Sequence, residues 1–299
     1  MGDPSGIGPE VIAKALSQVS LRRLAHFVLI GDQKIFQRYL KRSLAHVSFC
    51  DVPLKEKCLP GKSSRAGGEA SLHFLEKAVD LLKYHGIDGL VTAPVCKKSV
   101  CAFQKNFSGH TEYLAEAFGI KKFDMMFHAP DLRTVIVSRH VPIAQMPALI
   151  TSEAVFSTIE LTHQALKNYF KLRSPRLAVL GLNPHAGESG NIGQEEIREI
   201  VPAIEQACKQ GMKVEGPFSA DTFFVPGRAN QYDCVIAMYH DQGLMPIKSL
   251  HFKKVVNMTI GLPFVRTSPA HGTAFDIAGK NKADASSMIE AIKLACRLV

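Results

Sequence analysis

Val235-Ile-Ala-Met-Tyr-His-Asp-Gln-Gly-Leu-Met-Pro-Ile-Lys248 is the stretch whose reading decides the fold. It opens in the apolar run Cys234–Met238, which has the form of a strand buried on both faces of a parallel sheet. The run breaks into His240-Asp241-Gln242-Gly243, residues able to bind a metal, move a proton and turn a corner, and Lys248 follows. Open parallel sheets bind ligands just beyond the carboxyl ends of their strands. A histidine and an aspartate at such an end therefore stand in a functional position.

The arrangement recurs twice. Leu132–Ser138 reads as a strand and is followed by Arg139-His140-Val141-Pro142; Arg176–Leu182 reads as another, followed by Asn183-Pro184-His185-Ala186-Gly187-Glu188. A single histidine so placed is commonly structural, because imidazole readily caps a loop. Three with the same placement suggest a shared metal site. Three protein ligands, with the remaining coordination left to water or substrate, is the arrangement of a catalytic metal.

Composition sets the outer limits. At 299 residues the chain has room for one large domain or two ordinary ones, and 46% hydrophobic with 21% charged residues is typical of a globular protein. No run approaches the roughly 18 apolar residues of a membrane helix and no leader pattern opens the chain, so a cytoplasmic protein without a membrane partner is expected. The seven cysteines are scattered with no C-x-x-C pair, which argues against a disulfide framework or a cysteine-based zinc site. Cys234, inside an apolar run, reads as core. The net charge of +9 fits either nucleic acid or an anionic small substrate. The basic residues come in ones and twos (Arg22-Arg23, Lys41-Arg42, Lys97-Lys98, Lys121-Lys122, Lys253-Lys254), without aromatic interleaving or any tryptophan. The small substrate is the expectation, and nucleic acid is not.

Along the chain, Met1–Pro9 is a glycine-rich turn opening a helix over Glu10–Val19, with Pro9 suited to the first helical position. Such a loop can cradle an anion, but it is neither G-x-G-x-x-G nor G-x-x-x-x-G-K, and a plain tight turn is the blander reading. It normally follows a strand, which leads us to expect that the sequence starts downstream of a natural start. His26–Ile30 reads as a strand, residues 50–68 as a surface connection, Glu69–Tyr84 as an amphipathic helix and Ile87–Thr92 as a buried strand. Gly109-His110-Thr111-Glu112 opens a helix ending at Gly119, either as an ordinary cap or as donors presented to an anion. Helices are expected over 152–170, 194–210 and 285–298, a strand over Val255–Ile260, and a loop around Asp221. Strands alternating with helices predict a mostly parallel α/β sheet.

Gly109-His-Thr-Glu112, Leu182–Glu188, Tyr239-His-Asp-Gln-Gly243, Gly261-Leu-Pro-Phe-Val-Arg-Thr-Ser268 and His271-Gly-Thr-Ala274 occur in the order and spacing of the 4-hydroxythreonine-4-phosphate dehydrogenase family. The resemblance runs from Gly2 to the carboxyl terminus. It implies that His140, His185 and His240 bind a divalent metal (Zn²⁺, Mg²⁺ or Co²⁺), and that His110, Thr111, Lys248, Asn257 and Arg266 contact substrate. Asp221 and Asp241 match acidic residues beside the metal; these two and a metal-linked water all stay open as the general base. The resemblance also implies a homodimer with the metal site shared across the interface. More distantly, His271-Gly272-Thr273-Ala274-Phe275-Asp276 is similar to the cofactor loop of isocitrate and isopropylmalate dehydrogenases, which bind NAD or NADP without a Rossmann fingerprint. That likeness implies two α/β domains with a cleft between them, expected as 1–112 with 250–299 on the cofactor side and 113–249 for metal, substrate and dimerisation. The implied reaction is oxidation of 4-phosphooxy-L-threonine to 3-amino-2-oxo-4-phosphobutanoate, which decarboxylates to 3-amino-2-oxopropyl phosphate, in pyridoxine phosphate biosynthesis. Alternatives are a paralogue acting on 4-phospho-threonate or phospho-erythronate, a metal-dependent hydrolase, and an inactive binding protein. Lys248 and Arg266 suit phosphate and carboxylate, without a decision as to which takes which.

Overall fold

A computed structural model describes residues 1–40, 43–84 and 86–299; the Lys41-Arg42 pair lies outside the described residues. The chain forms two compact units, Met1–Lys121 with Leu262–Val299, and Lys122–Gly261. The expected divisions at 112/113 and 249/250 would each cut through a helix, and the observed ones lie in connecting segments.

The first unit begins with α1 (Gly8–Leu16), α2 (Val19–Arg22), β1 (Phe27–Gly31), α3 (Gln33–Phe36), β2 (Val47–Asp51), α4 (Arg65–Lys83), β3 (Gly89–Val91), α5 (Lys97–Cys101) and α6 (His110–Ala117). The second consists of β4 (Asp124–His128), β5 (Arg133–Ile136), α7 (Ser152–Asn168), β6 (Arg176–Leu180), α8 (Val201–Lys209), β7 (Lys213–Phe218), α9 (Ala220–Phe223), β8 (Cys234–Ala237), α10 (His240–His251) and β9 (Val256–Ile260). The chain then returns to the first unit with β10 (Val265–Pro269) and α11 (Ser286–Leu298).

In the first unit β1 pairs in parallel with β2, and β3 with β10. Helix α1 has proline in its first turn, as the sequence suggests, and buries Val11, Ile12, Ala15 and Leu16 in a core shared with Phe36 and with Met288 and Ile292 of α11. Helix α4 starts where the Ser64 hydroxyl accepts the Gly67 N–H at 3.0 Å, four residues ahead of the expected Glu69. Strand β2 occupies part of the stretch read as a surface connection. Its residues are only half-buried, so it carries little apolar signal.

In the second unit the strand order is β9-β4-β5-β8-β6-β7. Strands β5, β8, β6 and β7 run parallel, whereas β4 is antiparallel to both β5 and β9. The antiparallel step comes from the short link after His128, closed by the Ala129 N–H to the Leu132 carbonyl at 2.8 Å, which leaves no room for a crossover helix. Leu177, Val179, Val235 and Ile236 are fully buried, the expected character of central parallel strands. Cys234 is part of this core, and burial pushes its thiol up to about 12.

Candidate functional site

Strands β5, β8 and β6 are immediate neighbours and parallel. Their carboxyl ends therefore open at one side of the second unit, and each leads to one of the three histidines. His140 lies four residues beyond β5, His240 is the first residue of α10, and His185 lies five residues beyond β6. The sequence expectation of a corner at 240–243 is corrected: α10 starts at His240 and runs through Pro246 to His251.

The segment Tyr239–Gly243 divides its tasks. Gln242 is a tether, its Oε1 accepting the Met238 N–H and its Nε2 donating to the Gly181 carbonyl, both at 2.7 Å. It fastens the end of β8 to the end of β6. Gly243 permits the close approach of α10 to the sheet, since a Cβ there would lie 2.9 Å from Ile136 Cγ2. His240 and Asp241 are thereby left at the surface, Nδ1 of His240 2.7 Å from Oδ1 of Asp241. A carboxylate on one imidazole nitrogen orients the ring and leaves Nε2 for a cation.

The rings of His140 and His240 are 5.5 Å apart at 45°. Two imidazoles on one tetrahedral ion, with metal–nitrogen bonds of about 2.0–2.1 Å, have ring centres about 5 Å apart. The pair fits a divalent metal. The expected triad is not met within one chain: among the described residues no three His, Cys, Asp or Glu side chains converge to hold an ion. His185 is exposed and interacts electrostatically with Asp221. Asp221, expected in a loop, opens the single turn of α9; the Ser219 hydroxyl beside it, helped by the Thr222 N–H and His185, holds its carboxyl below the usual range.

His185 sits on an unusual backbone. Residues His185 to Ser189 all have positive φ, from 44° to 78°, a left-handed turn in which only Gly187 is a glycine. Each non-glycine residue there costs roughly 1–2 kcal/mol. The turn is held by Glu196, which is almost wholly buried. Its Oε1 accepts the Leu182 and Asn183 N–H groups, each at 2.7 Å, and its Oε2 accepts Asn183 Nδ2 at 2.9 Å. Charge-assisted bonds of this kind are worth about 1.5–3 kcal/mol each, enough to offset the strain. Glu196 and Gln242 were not singled out from the sequence. Glu196 lies in the run Gln194-Glu195-Glu196, which has the look of a solvated helix face.

Lys248 lies half-buried in the last turn of α10. Asn257 lies on β9 with Oδ1 buried and without a hydrogen-bond partner among the described residues.

A second cluster belongs to the first unit. Arg266, on β10, is buried and donates from Nη1 to the Thr111 hydroxyl at 3.2 Å and from Nη2 to the Thr92 hydroxyl at 2.7 Å. Burial lowers its pKa to about 10, so it remains a cation at neutral pH. Thr111 and His110 form the first turn of α6, entered through Gly109 at φ 151°. Burial, then the Arg266 charge and the Met1 ammonium, hold the His110 imidazole well below its ordinary range, so it is neutral. A guanidinium, a neutral imidazole and a helix amino terminus together favour an anion.

The 271–276 loop rests on the glycine-rich opening of the chain. The Ile7 N–H donates to the Thr273 carbonyl at 3.0 Å, and a Cβ on Gly6 would lie 3.0 Å from that oxygen. The opening glycines thus act here as a packing turn. His271 Nδ1 is 3.0 Å from the Gly272 carbonyl, and its Nε2 is buried without a partner among the described residues. Gly272 and Asp276 are exposed, and Ala274 has φ 41°.

The chain matches, over residues 10–295, the family described as pyridoxal phosphate biosynthetic protein PdxA. It is 42% identical over 311 residues to the 4-hydroxythreonine-4-phosphate dehydrogenase of Zymomonas mobilis, covering 99% of this chain and 93% of that one. A provisionally named D-threonate 4-phosphate dehydrogenase of Oceanobacillus iheyensis is 40% identical over 100% of this chain and 96% of its own. The crystal structure of 4-hydroxythreonine-4-phosphate dehydrogenase from Klebsiella pneumoniae superposes with a TM-score of 0.88 at 33% identity, covering 100% of this chain and 96% of that one. Isocitrate dehydrogenase from Methylococcus capsulatus, at 11% identity and a TM-score of 0.51 over 97% of this chain and 81% of that one, shares the fold alone. The expected isocitrate dehydrogenase-like α/β fold is therefore present, and with the family match spanning nearly the whole sequence, this chain belongs to the PdxA family of pyridoxal phosphate biosynthetic proteins.

Proposed function

We propose that the protein oxidises 4-phosphooxy-L-threonine with NAD or NADP to 3-amino-2-oxo-4-phosphobutanoate, which then loses carbon dioxide. The observation that carries this reading is buried Arg266, still a cation at neutral pH and aimed by the Thr92 and Thr111 hydroxyls, in a chain whose relatives bear that activity's name. A guanidinium presents a fork matched to phosphate or carboxylate. Neutral His110 can donate to the same anion without adding charge, and Thr111 fixes both at the start of α6.

His140 and His240 would hold the divalent metal, and His185 would complete the set as one of the ligands of a site shared between two subunits of a homodimer. A cation bound there supplies Lewis-acid polarisation of the substrate's alcohol; the nicotinamide supplies the hydride acceptor. Asp241 orients His240. Asp221, exposed and readily ionised, is a carboxylate available to accept a proton beside His185. Asn257 Oδ1 and His271 Nε2, both buried and without partners among the described residues, are suited to substrate and cofactor respectively. Lys248 contributes a second cation.

The test is NADH or NADPH formation with 4-phosphooxy-L-threonine before and after chelation, and again with Zn²⁺, Mg²⁺ or Co²⁺ restored. Turnover that disappears on chelation and returns with metal supports the assignment; turnover indifferent to metal defeats the histidine site. A second reading, oxidation of D-threonate 4-phosphate, is favoured by the full-length similarity to the Oceanobacillus relative. The ratio of kcat/KM for the two substrates decides between them.

A further inference from the structure

His140 and His240 are held in different ways. His240 starts α10 and takes its position from that helix. His140 lies exposed on an irregular segment, four residues beyond β5. The Arg139 carbonyl accepts the Val141 N–H at 3.0 Å, which puts His140 at the tip of a three-residue turn. A turn of that kind does not by itself fix an imidazole against a ring on another element, and freedom that an ion must freeze weakens its binding. The 5.5 Å between the two rings therefore needs an anchor outside the turn.

The residues just before His140 supply two, one toward each neighbour of β5 in the sheet. Toward β8, the Val137 N–H donates to the Ala237 carbonyl at 2.9 Å, and Ser138 gives both its N–H and its hydroxyl to the Met238 carbonyl, at 3.0 and 2.8 Å. Met238 is also the residue that Gln242 fastens, so both histidines are referenced to it. Toward β4 the tie is Arg139. Because β4 is antiparallel to β5, its start lies beside the end of β5. Arg139 Nη1 donates to the Phe123 carbonyl at 2.9 Å, the guanidinium lies 4.4 Å from the centre of the Phe123 ring, and Asp124 Oδ1 is 3.9 Å away. Asp124 is in turn held by the Thr158 hydroxyl of α7. An ion pair at that distance contributes little alone. A carbonyl, an aromatic face and a carboxylate from two consecutive residues, however, match the donors, the plane and the charge of one guanidinium.

We propose that Arg139 is a positioning residue of the metal site: bridging from the end of β5 to the start of β4, it holds the turn so that one ion can take both His140 and His240. This rests on the histidine site proposed above and adds to it a side chain whose own bonds are to Phe123 and Asp124. Groups that orient a ligand in this way are typically worth 10- to 100-fold in metal affinity. Asp124 has a second part in the arrangement, since its carboxylate offsets a cation that would otherwise stand uncompensated close to a divalent ion.

The experiment titrates the chelator-treated full chain with Co²⁺, following visible absorption and heat, alongside the melting temperature of the metal-free protein. Arg139→Met keeps a long side chain over the Phe123 ring but removes the donors and the charge. Its Kd for Co²⁺ should rise about 10- to 100-fold while the metal-free melting temperature stays within a few degrees of wild type. Arg139→Lys restores a donor and the charge without the fork, so its Kd should fall between those of wild type and Arg139→Met; it also serves should the methionine variant not fold. A melting temperature that drops in either variant while Co²⁺ affinity stays that of wild type would mark a merely structural role and overturn the proposal. His240→Ala in the same titration separates the two claims. Wild-type affinity there defeats the histidine site and this proposal with it. Affinity lost there but kept in Arg139→Met and Arg139→Lys overturns this proposal alone. None of these readouts depends on turnover.

Discussion

Replacing Asp124 by asparagine should make the protein more stable at pH 8 and leave it little changed at about pH 3.5. Asp124 begins β4 and is buried; the Thr158 hydroxyl donates to its Oδ2 at 2.9 Å, and Arg139 Nη1 lies 3.9 Å from Oδ1. Burial outweighs both partners and raises its pKa from 3.8 to about 6. A carboxyl whose folded pKa lies above its unfolded one favours folding while it is protonated; that contribution is full below the unfolded pKa and is lost as pH rises from there through the folded pKa. The displacement corresponds to about 3 kcal/mol, complete by about pH 7 to 8. Asparagine keeps the shape and an acceptor for Thr158 but has no proton to lose. Thermal melts of both proteins across pH 3.5 to 8 should therefore diverge progressively from about pH 4 to pH 6 and stay several degrees apart above that, with the variant higher. A variant destabilised equally at both ends of the range would refute the reasoning, since it would mean that the Arg139 pair outweighs desolvation.

Other consequences are more local. Arg266→Lys loses the fork and one of its two threonine contacts, so KM for the phosphorylated substrate should rise about 10- to 100-fold with a smaller fall in kcat; an unchanged KM would separate Arg266 from the anion. His240→Ala should remove bound divalent metal and turnover while circular dichroism stays that of the parent, and metal content equal to wild type would count against the site. Glu196→Gln turns an acceptor of three hydrogen bonds into a group with a poorly placed NH₂, and should cost about 2–3 kcal/mol. Faster exchange at Leu182 and Asn183, with weaker metal retention, is the expected signature.

The sequence alone made the architecture legible where one residue pattern served one physical end. The apolar runs within Arg176–Leu182 and Cys234–Met238 read as buried strands, which the fold has at Arg176–Leu180 and Cys234–Ala237, and a histidine follows each within a few residues. Strands with mixed patterns were harder to read. Val47–Asp51 is half-buried, Asp124–His128 carries a polar residue at each end, and Lys213–Phe218 is mostly exposed or half-buried, so none shows a clean period.

What only the tertiary structure decided was how side chains distant in sequence meet. That β5, β8 and β6 are neighbours, and so bring three histidine-bearing loops to one end, depends on a strand order that local patterns do not encode. The same holds for Glu196 clamping a left-handed turn and for Arg266 lying between Thr92 and Thr111, 174 and 155 residues away in sequence. Hydrophobic periodicity is a local property and can be read along the chain. Strain, desolvation and shared hydrogen bonds arise between segments, and take their values only once the chain has folded.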